Sequence, residues 1–243
     1  MQKDTNTWYA SWFDTPYYHI LYKDRDYEEA QVFIDNITKY LNLPENAKVL
    51  DLACGRGRHS IYLNKLGYDV VGADLSKNSI EYASQFENDH LKFIEHDMRQ
   101  PLEEKFDAIF NLFTSFGYFP EEKDNLTTLK AIHESLTEYG FAVLDFMNVH
   151  KVIGQLNPTE TKTVDGIVFH ITRSYQDGFI LKNIKFNDNG QDFDFTEKVK
   201  ALTLQDFEEL MEQSGIYLLE VFGDYKLNRY YEKESDRLIM LFK

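Results

Sequence analysis

The sequence is poor in cysteine and lacks long apolar runs. Cys54 is the single cysteine among 243 residues, so no disulfide bond can form within the chain. So little cysteine is typical of a protein from a reducing compartment. No stretch approaches the roughly 20 apolar residues of a membrane-spanning helix, and residues 1–14 lack the apolar centre of a signal peptide. We therefore expect a cytoplasmic protein without a membrane partner.

Positive charge is also scarce. The chain has 26 Lys and Arg residues against 41 Asp and Glu residues, a formal net charge of −15. Such a surface repels the phosphate backbone of nucleic acids, so we expect no nucleic-acid partner. The seven histidines show neither H-x-x-H nor H-E-x-x-H spacing, and we expect no bound metal. The partner we expect is a small molecule, with the protein a monomer or a homodimer.

Aromatic residues, by contrast, make up 15% of the chain. The stretch "WYASWFDTPYYHILY" at residues 8–22 is especially rich in them. Two interpretations of this stretch stay open: it packs in the core, or it forms a lid over a pocket for a flat or cationic ligand.

Short apolar runs alternate with helical patterns between residues 48 and 148. This alternation predicts an α/β fold with a parallel, doubly wound sheet. The predicted strands of the chain's α/β part are 48–53, 69–74, 91–96, 106–111, 141–147, 216–222 and 236–242. The predicted helices are 26–41, 59–66, 77–86, 121–136 and 204–215.

A different pattern interrupts the alternation after the fifth strand. Residues 149–202 contain alternating apolar and polar runs separated by the turn sequences "QDG" and "NDNGQD", which predict antiparallel strands. We therefore expect a single domain over residues 1–243, with a small antiparallel β insertion at about 149–202 and an N-terminal helical lid at about 1–43.

The stretch "VLDLACGRGRHS" at residues 49–60 carries the most specific signal. Gly55 and Gly57 lie where the first strand turns into a helix, so the backbone can approach a ligand closely. A dinucleotide site has the pattern G-x-G-x-x-G, whereas this chain has Ser60 at the third position. Asp51 disfavours a pyrophosphate and favours a cationic group, which argues against NAD. The alternative for Asp51 is a structural role bonding loop amides.

Acidic residues also end the next two strands. Asp74 closes the strand that follows Asp51 and is placed to accept hydrogen bonds from both hydroxyls of a ribose. Asp97 is placed to accept from the exocyclic amine of an adenine, with Leu75 and Met98 against the faces of the ring. Open α/β sheets bind ligands at the carboxyl ends of their strands, where all of these residues lie.

The segment D-x-A-C-G-x-G, the acid closing the next strand and "HDM" together resemble class I S-adenosylmethionine (SAM)-dependent methyltransferases. The nearest likeness is to small-molecule N-methyltransferases, especially amino-sugar N,N-dimethyltransferases. These are similar in "DMR" after strand three, "SFGY" after strand four, an N-terminal element like "KDRDY" and an antiparallel insertion. The resemblance covers most of the chain. It implies a Rossmann-like seven-stranded methyltransferase sheet of order 3-2-1-4-5-7-6, with strand 7 antiparallel, and SAM as the cofactor.

The resemblance also implies roles for individual residues. Asp51 would lie near the methionine amino group, Asp74 would hold the ribose and Asp97 would hold the adenine. Tyr17 and Tyr27 would cover the methionine carboxylate and the sulfonium. The expected cofactor-binding residues are Tyr17, Tyr27, Asp51, Ala53, Gly55, Gly57, Asp74, Leu75, Asp97, Met98, Asn111 and Phe113. The acceptor-binding candidates are Tyr18, His19, Phe116, Tyr118, Arg229 and Tyr230, and no catalytic residue is assigned.

The function implied is transfer of a methyl group from SAM to a small-molecule acceptor, with an amine as one candidate. Two alternatives stay open: O- or C-methylation of a small metabolite, and non-catalytic binding of SAM or its product S-adenosylhomocysteine (SAH). Binding residues survive the loss of acceptor chemistry, so the motif does not separate an enzyme from a binder. An NAD-dependent oxidoreductase is the least favoured interpretation.

We predict that SAM and SAH both bind this protein and that NAD does not. The acid beside the glycine turn favours the cationic methionine end of SAM over a pyrophosphate. Isothermal titration calorimetry with each compound checks this. Binding of NAD without binding of SAM would contradict the methyltransferase interpretation.

Overall fold

The computed structural model describes residues 8–23 and 27–243, which fall into two compact units. The first unit comprises residues 8–23 and 152–201, and the second comprises residues 27–151 and 202–243. The N-terminal segment that we expected as a lid is thus divided between the units. No helix in the described part of the chain is both long and apolar enough to cross a membrane.

The helices and strands are as follows, in chain order. The helices are α1 Trp8–Phe13, α2 Pro16–Leu21, α3 Tyr27–Leu41, α4 Arg58–Lys65, α5 Lys77–Ala83, α6 Glu122–Glu134, α7 Val149–Gly154 and α8 Leu204–Ser214. A 3-10 turn, Ser84–Phe86, extends α5. The strands are β1 Lys48–Leu52, β2 Asp69–Asp74, β3 Leu91–Glu95, β4 Phe106–Asn111, β5 Leu136–Met147, β6 Thr159–Val164, β7 Ile167–Gln176, β8 Phe179–Asp188, β9 Gln191–Lys200, β10 Leu218–Phe222 and β11 Arg237–Phe242.

A seven-stranded sheet of order β3-β2-β1-β4-β5-β11-β10 forms the second unit. The pairs among β1 to β5 are parallel, and β11 is antiparallel to both of its neighbours. This confirms the expected strand order and the antiparallel seventh strand. Because β1 pairs in parallel with β2 and with β4, the carboxyl ends of these three strands meet at one edge of the sheet.

Helix α3 buries an apolar stripe in the core of the second unit. Phe33, Ile34 and Ile37 are fully buried and belong to the same core cluster as Val49 of β1 and Phe110 of β4. Fully burying a side chain of this size stabilises a fold by about 1.5–3 kcal/mol. The spacing of these apolar residues places them on one face of α3, and this is the face that packs.

Local signals in the sequence set the helix ends. Ser76 begins α5 and its side chain accepts a hydrogen bond from the Ser79 N–H at 3.1 Å. Thr203 and Asp206 form a capping box at the start of α8, in which each side chain bonds the other's backbone N–H. Gly67, with φ of 96°, follows the end of α4 in a left-handed conformation that costs glycine little.

The insertion forms a separate four-stranded antiparallel sheet of order β6-β7-β8-β9. This confirms the antiparallel insertion, and the "QDG" and "NDNGQD" sequences make the two turns that were predicted. Three details differ from the prediction. Val149–Gly154, which we expected within the antiparallel insertion, form the helix α7. The strand β6 was not predicted because its sequence, TETKTV, has no apolar run. The strand β5 begins at Leu136 rather than at residue 141, because Leu136 pairs with Phe106 of β4 before the register shifts and Phe141 pairs with Ala108.

The aromatic stretch at residues 8–22 supplies much of the core of the first unit. Trp12 is only 1% exposed, and its Nε1–H donates to Glu197 Oε1 at 2.8 Å. The Tyr22 hydroxyl donates to the same oxygen at 2.7 Å. The two helices of this stretch have six residues each, too few to show a helical period in the sequence, although Thr15 caps the second one.

We predict that Gly57→Ala lowers the free energy of unfolding by about 3 kcal/mol, because the new methyl combines a strained backbone with overpacking. Gly57 has φ of 78°, and a Cβ there would lie 2.5 Å from two ring atoms of Phe93. Gly55 has φ of 56° but no atom within 4 Å of such a Cβ. The control Gly55→Ala should therefore lower the free energy of unfolding by only about 1–2 kcal/mol, from backbone strain alone. If urea unfolding shows that both variants lose the same free energy of unfolding, the packing role of Gly57 is contradicted.

Candidate functional site

Asp51 lies at the centre of the sheet edge where β1, β2 and β4 end. Its neighbours in the sheet are Gly72 of β2 and Phe110 of β4. Its side chain is 2% exposed and accepts a hydrogen bond from Ser60 Oγ at 2.6 Å. Burial raises the pKa of Asp51 to about 6, although the hydrogen bonds from Ser60 oppose the shift. A cation placed beside this carboxylate would favour its ionised form.

Ser60 occupies the position where a dinucleotide site has its third glycine. The contacts of Ser60 explain why a serine and not a glycine stands at this position. Ser60 lies in the first turns of α4, is fully buried and donates its hydroxyl hydrogen to Asp51. A site that buries an acid at this place needs a donor for it, so the acid and the serine form a pair.

The turn between β1 and α4 has a backbone that folds back on β2. The N–H groups of Ala53 and Cys54 both donate to the Ala73 carbonyl oxygen, at 2.7 and 3.1 Å. Ala53, Gly55 and Gly57 all have positive φ values, between 56° and 78°. Cys54 is buried, and burial raises the pKa of its thiol well above the ordinary value. A neutral, buried thiol fits a packing role for this residue.

Asp74 ends β2 and bonds backbone on both sides. Its Oδ2 accepts the N–H of Gly55 at 2.8 Å, and its Oδ1 accepts the N–H of Ser76 at 2.8 Å. The side chain therefore orders the glycine turn and the start of α5. Leu75, beside it, is half-buried.

Asp97 follows β3 and is held by Arg99, two residues later. Arg99 Nε donates to both carboxylate oxygens at 3.1 Å, and its Nη2 donates to Oδ2 at 2.6 Å. Partial burial disfavours the ionised form of Asp97, but the hydrogen bonds and charge of Arg99 outweigh this and hold its pKa below the ordinary value. Arg99 also pairs with Asp124 of α6. Asp97 and Arg99 are the first and last residues of the "DMR" sequence, to whose arginine we assigned no role. Met98 between them is half-buried.

Asn111 is the last residue of β4, and its side-chain oxygen accepts no hydrogen bond from any described residue. Its Nδ2 donates to the Leu52 carbonyl oxygen at 3.0 Å, whereas its Oδ1 is buried and has no hydrogen-bond partner. Buried acceptors in native proteins nearly always have a partner, which points to a ligand or a water at this atom. Two residues later, the ring of Phe113 stacks on His59 of α4, 4.8 Å between centroids and 5° between planes. We did not assign a role to His59.

The other candidates occupy varied environments. In the first unit, the Tyr17 hydroxyl donates to Asp188 Oδ2 at 2.9 Å, and Tyr18 and His19 are half-buried beside it in α2. The side chain of Tyr27 lies outside the described part of the chain. In the second unit, Phe116 is fully buried and packs against Phe207.

Three more acceptor candidates lie in the second unit. Tyr118 is half-buried and donates to the Thr114 carbonyl oxygen. Tyr230 is half-buried, and its hydroxyl donates to Asn148 Oδ1 at 3.4 Å. Arg229 is exposed and lies over the ring of Tyr231. The structure therefore brings the expected cofactor-binding residues of β1, β2 and β4 together at one edge of the sheet.

Comparison with known proteins gives one family. A family described as a methyltransferase domain matches residues 49–140. The methyltransferase-like protein YqeM of Bacillus subtilis (strain 168) is 27% identical over 204 residues, which are 79% of this chain and 83% of YqeM. A glycine/sarcosine N-methyltransferase of Halorhodospira halochloris is 27% identical over 190 residues, 74% of this chain and 69% of that enzyme.

Among solved structures, the fold is similar to that of SAM-bound CalS10, an amino pentose methyltransferase from Micromonospora echinaspora. The TM-score is 0.68 at 16% identity, and the match covers 94% of this chain and 96% of CalS10. The sheet order, the acid-and-glycine turn and the match of residues 49–140 to a methyltransferase domain together support a class I S-adenosylmethionine-dependent methyltransferase.

Proposed function

We propose that this methyltransferase acts on a small-molecule amine. The observation that carries the proposal is the similarity to a glycine/sarcosine N-methyltransferase over 74% of the chain. The net charge of −15 supports it, because an acidic protein attracts protonated amines and repels anionic acceptors. The fold that the chain shares with an amino pentose methyltransferase is compatible with the same acceptor class. The cytoplasmic location and the monomeric or homodimeric state stay predictions from the sequence.

The residues at the sheet edge fit SAM. The space beside Gly55 is open, so a ligand can lie against the backbone of the turn. The buried Oδ1 of Asn111 lacks a hydrogen-bond partner among the described residues, and an ammonium group would supply one. The buried carboxylate of Asp51 favours a cation over a phosphate. These three observations support a cationic amino-acid end for the ligand rather than a dinucleotide.

We assign the site residues as follows. Asp51 and Asn111 accept hydrogen bonds from the ammonium of the methionine part, and Asp74 accepts from the ribose hydroxyls. Asp97 accepts from the adenine amine, while Leu75 and Met98 contact the ring faces. Phe113 and the turn at Ala53, Gly55 and Gly57 complete the cofactor site, and Tyr17 and Tyr27 remain proposed contacts from the N-terminal segment.

When bound, SAM supplies a methyl group that its sulfonium already activates. The protein's part is to orient the acceptor's lone pair toward that group and to exclude water. An amine with a pKa above 7 must also lose its proton, and a side chain or a water can take it. The reaction therefore depends on positioning more than on a nucleophile or a strong general base of the protein.

We predict methyl transfer to an amine in a panel of acceptors. Purified protein would be incubated with SAM carrying a trideuterated methyl group and with glycine, sarcosine, an aminopentose, an aminohexose, a catechol or no acceptor. Mass spectrometry should find SAH together with a labelled amine product. A label only on hydroxyl oxygen or carbon would replace N-methylation by the O- or C-methylation alternative. Tight SAH binding without any labelled product would support a non-catalytic binder.

We also predict that SAH affinity falls at acidic pH. The folded protein holds the pKa of Asp51 near 6, above its ordinary value, so the carboxylate is ionised only above that pH. Because the ionised form binds the ammonium group, the dissociation constant should be flat above about pH 7 and rise by up to tenfold per pH unit below 6. Calorimetric titrations of SAH from pH 5 to pH 8 measure this.

Asp51→Asn serves as the matched control for the pH dependence. Asparagine keeps the size of the side chain and an oxygen that accepts from Ser60, but it does not titrate. The variant should bind SAH more weakly than the wild type at pH 7.5 and should lose most of the slope below pH 6. An equal slope in wild type and variant would assign the pH dependence to another group and remove Asp51 from the ammonium site.

A further inference from the structure

The turn that follows β4 has an unusual backbone. Phe113 and Thr114 have φ values of 58° and 61°, so two consecutive residues other than glycine are left-handed. Thr114 is β-branched, a type of residue for which this conformation is especially unfavourable. Such a conformation persists only where the surrounding structure enforces it, and it is concentrated at functional sites.

Asp145 of β5 is the residue that enforces this turn. The Phe113 N–H donates to Asp145 Oδ2 at 2.8 Å, and the Thr114 N–H donates to the Asp145 carbonyl oxygen at 2.9 Å. The Asp145 side chain is fully buried, and the Tyr225 hydroxyl also donates to its Oδ2, at 3.1 Å. One residue therefore bonds both successive N–H groups of the strained turn.

Arg237 of β11 completes the arrangement. Its Nε donates to Asp145 Oδ1 at 2.7 Å, and its Nη2 donates to Thr114 Oγ1 at 2.9 Å. The guanidinium thus bonds both the acid and the side chain of the turn, and it lies over the ring of Tyr225, 5.6 Å from the centroid. A planar guanidinium with several fixed donors is suited to holding two acceptors at once.

The turn presents residues of the cofactor site. It directly follows Asn111, whose buried Oδ1 lacks a partner among the described residues, and it carries Phe113, whose ring stacks on His59 of α4. We propose that Asp145 and Arg237 are positioning residues: together they hold the turn after β4 in its left-handed conformation and so place Asn111 and Phe113 for the methionine end of SAM. The inference rests on the proposed cofactor site, and neither Asp145 nor Arg237 is assigned a contact with SAM.

A conformational rescue tests this proposal. Asp145→Asn removes the charge that pairs with Arg237, and we expect the SAH dissociation constant to rise about tenfold, as for loss of one charge-assisted hydrogen bond. Adding Thr114→Gly also removes the hydroxyl that accepts from Arg237, but glycine adopts positive φ without strain and no longer needs to be held in it. The double variant should therefore recover at least half of the loss on a logarithmic scale. Calorimetry gives the dissociation constants, and thermal unfolding shows that each variant is folded.

Asp177→Gly in the Asp145→Asn background is the matched control. Asp177 also has positive φ, 51°, but lies in the β7–β8 turn of the first unit. It should not improve SAH binding. Recovery by both glycine substitutions would indicate a general effect on stability and would overturn the proposal, as would an unchanged dissociation constant in folded Asp145→Asn.

A milder variant keeps the test decisive if Asp145→Asn does not fold. Thr114→Val keeps the shape and β-branching of the side chain but removes the hydroxyl that accepts from Arg237. We expect its SAH dissociation constant to rise about threefold or more, as for loss of one ordinary hydrogen bond. An unchanged value in the folded variant would overturn the role of Arg237. Wild-type protein that fails to bind SAH at all would instead count against the cofactor site itself.

Discussion

The hydrogen bond between Ser60 and Asp51 joins the central strand of the sheet to the helix that follows it. A carboxylate is costly to bury unless a hydrogen bond compensates for the lost water. Ser60 supplies that bond from the first turns of α4, so it fixes where the helix begins relative to β1. The glycine turn between them must then bend sharply, which its positive φ values allow. The raised pKa of Asp51 is a consequence of the same burial.

The acids that would contact the cofactor are already held by the protein. Asp74 accepts one backbone N–H on each oxygen, and Asp97 is bonded by Arg99 through several donors. Side chains that are restrained before binding lose little conformational entropy when a ligand arrives. The same contacts mean that replacing Asp74 would disturb the turn at Gly55 as well as a ligand contact. The affinity lost in such a variant would therefore exceed the energy of the ligand contact alone.

Signals that act over a few residues were predictable from the sequence. The turns at "QDG" and "NDNGQD" followed from such signals, whereas the strand order followed from the resemblance to class I methyltransferases. The elements that we did not predict share one physical property. The strand β6 and the two short N-terminal helices lack a hydrophobic period, so only their packing partners stabilise them. The positions of the acids at strand ends were predictable, whereas the groups that hold them were not.

By itself, the sequence determined the alternation of strands and helices, the glycine turn and the acids that end the strands, because these depend on neighbours along the chain. Only the tertiary structure decided which distant groups meet. Arg237 reaches Asp145 across 92 residues, and Trp12 reaches Glu197 across 185. A buried donor takes whichever acceptor the fold brings within hydrogen-bonding distance, and no local pattern encodes that choice. The conformation of the turn after β4 is therefore a property of the assembled sheet, in which β5 and β11 lie side by side.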